Sequence, residues 1–263
     1  MPESHAIVTA KLSRSFGDLT AVDNLDLVVD RGSFFGFLGP NGAGKSTTLR
    51  MLTGLLRPTS GEARVLGFDL SSNAVEVKRR IGVVPEQLAL FDRLTAQEYL
   101  RFVGRMHDLS SEVVRSRSDE LLTLLGLDEV GGKLIVDFSH GMKKKLAFAA
   151  ALIHQPELLF LDEPFEGIDA VASGLIKSIL NQLISKQVTI FLTSHILEIV
   201  EKLCSRIAIV NNGRLVASGT LAELRCGLHL EGRDAREEVS LEELFIRTVG
   251  GEREQPPRLS WLE

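Results

Sequence analysis

Apolar and polar residues alternate over positions 6–30, with Ile7, Val22, Leu25, Leu27 and Val29 on the apolar side and a turn at Gly17-Asp18. This stretch reads as paired strands. Three later runs are apolar almost throughout: Ser33–Leu38 (SFFGFL), Leu158–Leu161 (LLFL) and Val188–Leu192 (VTIFL). Such runs suit strands buried on both faces of a sheet. Helical stretches separate them, which predicts a mostly parallel sheet flanked by helices. Between about 90 and 155 the pattern is helical instead. Thr95-Ala96-Gln97-Glu98 has the form of a capping box and opens a helix through about Met106. Leu121, Leu122, Leu124 and Leu125 mark the apolar face of a second helix, ended by Gly126. A third starts near Ser139 and turns Leu146, Phe148, Ala149 and Leu152 inward. This block reads as a helical subdomain inserted into an α/β core. Beyond residue 205, Ile207–Val210, a turn at Asn211-Asn212-Gly213 and Leu215–Ala217 predict a hairpin. Glu231–Glu238 is dense in charge and reads as exposed, Ser240–Val249 (SLEELFIRTV) fits a short amphipathic helix, and Gly250–Glu263, with Pro256-Pro257, reads as loose.

Composition narrows the classes. With 44% hydrophobic and 25% charged residues, a chain of 263 can build a real core, which excludes disorder for its bulk. Thirty basic residues against 35 acidic ones give a net charge of -5, so no broad basic footprint is expected and no nucleic acid partner. Cys204 and Cys226 have neither metal-ligand nor CxxC spacing and read as reduced thiols of a cytosolic protein. The opening MPESHAIVTAK has no basic region followed by an apolar stretch, so no signal peptide is expected. The longest apolar run, Leu146 to Ile153, falls short of the roughly 18 residues a membrane span needs.

The strongest chemical pattern follows SFFGFL. Gly39-Pro40-Asn41-Gly42-Ala43-Gly44-Lys45-Ser46 fits GxxxxGK[ST] at every fixed position, and TTLRMLTGLL continues as a helix. A strand, this loop and a helix together form a P-loop. Its glycines let successive N–H groups face one anion, and the helix adds its positive N-terminal end. Lys45 then reaches the β- and γ-phosphates, and Ser46 offers a hydroxyl to Mg²⁺. A second apolar strand ends in Asp162-Glu163. Asp162 suits the magnesium shell, and Glu163 suits a general base for water attacking the γ-phosphate.

Three further motifs carry a family resemblance. Asp137-Phe138-Ser139-His140-Gly141-Met142-Lys143-Lys144-Lys145 resembles the signature motif of ATP-binding-cassette ATPases. Glu163-Pro164-Phe165-Glu166-Gly167-Ile168-Asp169 resembles their D-loop, and Thr193-Ser194-His195 resembles their switch histidine. Order and spacing match over about residues 6–225. The resemblance implies an α/β fold: a P-loop NTPase core with a mostly parallel sheet, an N-terminal antiparallel β subdomain and an inserted helical signature subdomain. It places the nucleotide-binding domain at 1–225, with the helical part at about 86–155, and leaves 226–263 as a tail carrying the short helix 240–249.

The resemblance also implies ATP and Mg²⁺, held by a head-to-tail dimer with a second ATPase subunit, identical or homologous. Each ATP would lie between the P-loop of one subunit, Gly39 to Thr47, and Ser139, Gly141 and Met142 of the other, near Asp169. Thr47 joins the P-loop set, and Phe16 falls where the family carries an aromatic that stacks on adenine. His195 would contact the γ-phosphate. Two positions depart from the family. His140 replaces the usual glycine, and the Q-loop position after Pro85 holds Glu86 followed by Gln87, either of which can meet magnesium and the attacking water. Ser139 sits where a helix N-cap belongs, and Lys143–Lys145 reads as a solvated helix face.

The signature form SxGMKKKL, Pro85-Glu86-Gln87 and the tail SLEELFIRTVG resemble the exporter-type branch that serves multidrug, lipid or polysaccharide permeases. That implies a cytoplasmic ATPase bound peripherally at the membrane through a polytopic permease. The alternative is a soluble cassette ATPase acting on a non-membrane macromolecule; relatives of that kind carry two cassettes, long coiled coils or basic arms. A P-loop GTPase would carry an Asn-Lys-x-Asp motif, which this chain lacks.

Overall fold

The alternating stretch builds two long antiparallel strands, β1 (His5–Phe16) and β2 (Leu19–Asp30), registered from His5 opposite Asp30 to Phe16 opposite Leu19. Ile7, Val22, Leu25, Leu27 and Val29 are all buried on one side of this pair. The computed structural model describes residues 4–130, 132–227 and 240–250; Glu231–Glu238 and Pro256-Pro257 lie outside these. β3 (Phe34–Leu38) leaves the pair for a second sheet and feeds α1 (Lys45–Leu52). Two strands that the apolar pattern did not mark, β4 (Ser60–Val65) and β5 (Phe68–Asp69), complete the first sheet in the order β2-β1-β4-β5. β4 is polar and largely exposed, and only Ala63 and Val65 turn inward, so its sequence carries little alternation.

The chain then runs through α2 (Leu70–Arg80), β6 (Ile81–Val84), α3 (Ala96–Met106), α4 (Ser111–Leu124), α5 (His140–Leu152) and β7 (Leu158–Asp162). α6 (Ala170–Ser185), β8 (Thr189–Ser194), α7 (Leu197–Leu203), β9 (Arg206–Asn211), β10 (Arg214–Gly219), α8 (Leu221–Gly227) and α9 (Leu241–Val249) follow. The second sheet has the order β10-β9-β3-β8-β7-β6. Its neighbours are parallel except the β9–β10 hairpin, which turns at Asn212-Gly213. β3, β7 and β8 are buried at every residue, as their apolar runs predict. Period-two alternation divides their side chains between two cores. Phe35, Phe37 and Phe160 gather around Phe191, with ring centroids 5.4–5.7 Å apart, under the first sheet and α1. Phe34, Leu38, Leu159, Leu161 and Leu192 face the other way, toward the helices.

The helical block forms as the spacing predicts. Thr95 caps α3, its Oγ1 accepting from the Glu98 N–H while the Glu98 carboxylate accepts from the Thr95 N–H. Leu122 and Leu125 are buried and Leu121 partly so, but Leu124 is 45% exposed: the run of four leucines is wider than the face that α4 buries. Leu146, Phe148 and Ala149 are buried in α5, and Leu152 is half-buried. At the far end, Ser240 caps α9, which packs on α7, α8 and β9 through the buried Leu241 and Leu244. No helix among the described residues is long and apolar enough to cross a membrane.

The block joins the parallel sheet where α5 meets β6. A Cβ on Gly82 would lie 2.2 Å from the Ala151 carbonyl oxygen and 2.9 Å from Leu159 Cδ1. Backbone therefore touches backbone at this seam. Gly82→Ala is expected to cost about 1–3 kcal/mol of stability, the scale of an overpacked core. A lowered urea midpoint at unchanged m checks this; a wild-type midpoint would show that the seam has slack.

Candidate active site

β3 ends at Leu38, and the chain loops through Gly39–Gly44 into α1. Gly44 stands at the helix N-cap with φ of 98°, and a Cβ there would lie 2.4 Å from the Ala21 carbonyl oxygen. Only glycine meets both conditions. Because glycine offers no capping side chain and no acid follows in the first turn, the opening N–H groups of α1 remain available to an anion. Asn41, Gly42, Gly44, Lys45, Ser46 and Thr47 line a cavity of about 540 Å³, a size that suits a small-molecule ligand. Lys45 is buried, and its Nζ donates to the carbonyls of Gly39 (2.8 Å) and Pro40 (3.2 Å).

The parallel pairing of β7 with β8 brings the two acids to the same place. Thr193, at the end of β8, fastens both: its Oγ1 donates to Asp162 Oδ1 at 2.5 Å, and its carbonyl accepts from the Glu163 N–H at 3.2 Å. Ser46 Oγ lies 3.4 Å from Asp162 Oδ1, so a hydroxyl and a carboxylate stand side by side. Glu163 has φ of 47°, in the left-handed region, which costs a non-glycine residue about 1–3 kcal/mol and is found where surrounding structure enforces it. Its carboxylate is 3.0 Å from His195 Nδ1, accepts from the His195 N–H at 3.3 Å and lies 4.0 Å from Lys45 Nζ.

The remaining cavity wall includes Phe16, Leu19, Glu86, Glu166 and His195. Phe16 is 46% exposed, and the Arg14 guanidinium lies over its ring at 4.5 Å. Glu86 lines the cavity, whereas Gln87 is not among its lining residues. Nor are Ser139, Gly141 and Met142, which stand at the N-terminus of α5; Ser139 Oγ accepts from the Met142 N–H at 3.3 Å as a helix N-cap. Asp169 likewise caps α6, accepting from the Ala172 N–H at 2.8 Å, and that bond holds its carboxyl below the usual range.

Two features were not anticipated. Lys144 does not belong to a solvated face. It is 3% exposed, and its Nζ donates to the Glu163 carbonyl at 2.9 Å and to the Glu166 carbonyl. Desolvation lowers the pKa of this ammonium, against the attraction of Glu166, Glu163 and Glu86. The departure at His140 also finds a partner. A Cβ on Gly167, whose φ is 68°, would lie 3.0 Å from His140 Cδ2, so the histidine ring rests on a glycine of the loop after β7.

The family model described as ABC transporter matches residues 22–166. The probable multidrug ABC transporter ATP-binding protein YbhF of Escherichia coli (strain K12) is 35% identical over 94% of this chain, which spans 42% of that relative's length. The daunorubicin/doxorubicin resistance ATP-binding protein DrrA of Streptomyces peucetius is 38% identical over 94% of this chain and 76% of its own. Among solved structures, an ATP-binding subunit of an ABC transporter superposes with a TM-score of 0.85 at 32% identity, covering 92% of this chain and 99% of that one. A dimeric ATP-binding cassette in a post-hydrolysis state, bound to ADP and Pi, shares the fold with a TM-score of 0.76 at 24% identity over 81% of this chain and 98% of its own.

Lys45 is the lysine that the glycine-rich loop brings into this cavity. Lys45→Ala is expected to weaken ATP binding and abolish turnover together. Unchanged affinity in a titration of the variant would remove the phosphates from this loop.

Proposed function

The chain belongs to the ABC transporter family, whose cassettes bind and hydrolyse ATP, and we propose that it is the ATP-hydrolysing subunit driving a separate polytopic membrane permease from the cytoplasmic face. The observation that carries the reading is the meeting of Lys45, Ser46, Glu163 and His195 in one cavity, with Asp162 bonded to Ser46 beside it and Phe16 at its rim. Ser139, exposed, and Gly141 and Met142, half-buried, stand outside that lining at the N-terminal end of α5. A second subunit docked head to tail would present this helix end to the nucleotide held by the first. The signature and the P-loop would then serve different ATP molecules, with Asp169 near the same junction.

In this reading Phe16 takes the adenine on the ring face opposite Arg14, and the P-loop N–H groups with Lys45 hold the β- and γ-phosphates. Ser46 and Asp162, adjacent oxygen donors facing the phosphate loop, fit Mg²⁺, with Glu86 across the same cavity. The ion, when bound, neutralises charge on the phosphate oxygens. Glu163 accepts the proton of the attacking water, and His195, whose Nδ1 lies 3.0 Å from that carboxylate, would hold it and meet the γ-phosphate. ATP-driven closure and reopening after hydrolysis would switch the permease between access states through the Glu86-Gln87 segment and the helical block. Residues 1–225 constitute the cassette, and 226–263 the tail. The names of the relatives, one a probable multidrug transporter protein and one a daunorubicin/doxorubicin resistance protein, support an exporter-type complex over a cassette acting on a non-membrane macromolecule. Co-purification of the chain with one polytopic protein from solubilised membranes tests the permease.

Glu163→Gln keeps the side-chain shape and removes its basic charge. Turnover is expected to fall by about 100-fold or more, the scale for a positioned general base, while ATP still binds. Relief of repulsion beside the triphosphate should also lengthen the life of the ATP-bound dimer. Phosphate release and size-exclusion chromatography with ATP measure both, and near-normal turnover would move the base elsewhere, to Glu86 first.

Ser139→Arg separates the two roles. Isolated subunits should bind ATP as the wild type does, yet hydrolysis should be lost because the partner's nucleotide is no longer met. If monomers of this variant fail to bind ATP, the signature acts within its own chain and the dimer reading is wrong.

A further inference from the structure

A buried ammonium is costly unless hydrogen bonds replace its lost water. For Lys144 the replacements are backbone carbonyls, those of Glu163 and Glu166, at either end of the turn that leaves β7. The Glu163 carbonyl also accepts from the Glu166 N–H at 3.3 Å, so the lysine closes a turn already in place. Glu163 itself needs holding. Its φ of 47° is unfavourable for a side chain of its kind, and Pro164 adds its own restriction on the residue before it. From the other side, the Thr193 carbonyl and hydroxyl accept from the Glu163 N–H. The peptide groups on both sides of the Glu163 Cα are thus fastened, one by β8 and one by α5, and the carboxylate is left pointing at His195 and Lys45. α5 makes one more contact with this loop, where His140 rests on Gly167.

We propose that Lys144 is a positioning residue for Glu163, reaching from the signature helix to hold that glutamate in the left-handed conformation that aims its carboxylate into the cavity. The proposal rests on the reading of Glu163 as the base. Lys144 does not line the cavity; it acts through the backbone of Glu163, which does. Its ammonium donates to two carbonyls, so a side chain without donors loses both bonds, whereas a guanidinium carries donors for each.

The test uses the full chain with Lys144→Met, Lys144→Gln and Lys144→Arg, each alone and combined with Glu163→Gln. Titration gives ATP affinity, and single-turnover phosphate release gives the hydrolytic rate. Lys144→Met is expected to leave ATP affinity as it is and to slow hydrolysis by about 10- to 100-fold, the scale of misplacing a reacting group by up to an ångström. Lys144→Arg should recover most of that loss. Lys144→Gln, which keeps a donor but not the reach, should fall between and carries the same test if the methionine variant does not fold. In the Glu163→Gln background, Lys144→Met should slow hydrolysis no further, because the group it positions is already gone. Effects that multiply in the double variant, or an affinity loss that matches the rate loss, would overturn the proposal alone. Near-normal turnover in Glu163→Gln by itself would overturn the base reading and the proposal together.

Discussion

Asp162 and Glu163 are buried side by side, Glu163 against a cavity whose other wall is the glycine-rich loop and Asp162 against that loop's Ser46. Adjacent carboxylates repel one another and would repel a phosphate, so each has to be held by partners that do not move. The parallel sheet supplies them. β3, β7 and β8 are neighbours, so the loop after one strand, the acids ending the next and Thr193 ending the third converge at one edge. Thr193 bonds Asp162 and anchors Glu163, and Lys45 and His195 face the Glu163 carboxylate. The two cores on either side of the sheet make this edge rigid, since every residue of those three strands is buried.

What could be read in the sequence follows from which constraints leave a trace in residue type. A strand buried on both faces must be apolar throughout, so β3, β7 and β8 stand out; β4, half exposed, does not. The P-loop is visible because its backbone cannot carry side chains at places such as Gly44. The acids at the end of β7 are visible because carboxylates rarely close such a run. Lys144 was hidden by its neighbours, since three lysines in a row read as a wet surface. Helical spacing was the available clue: Lys144, Ala147, Phe148 and Ala151 fall at i, i+3, i+4 and i+7, and all four are buried. That Glu86 lines the cavity and Gln87 does not was also invisible, because which of two adjacent loop residues turns inward is a matter of backbone direction. The role of Thr193 in bonding both acids was likewise invisible, since it arises from strand order and not from any short pattern.

The seat of His140 on Gly167 concerns how such a chain can change over generations. A Cβ at position 167 would lie 3.0 Å from the ring, so the histidine would have to give way by a few tenths of an ångström. A replacement at 167 therefore presses on the histidine as well as against its own backbone preference, whereas loss of the histidine leaves a gap beside the loop that follows Glu163. Each position is a context for the other, and drift at one is filtered by what stands at the other. The two positions are separated in the sequence by the rest of α5 and by β7, yet in space they share one contact.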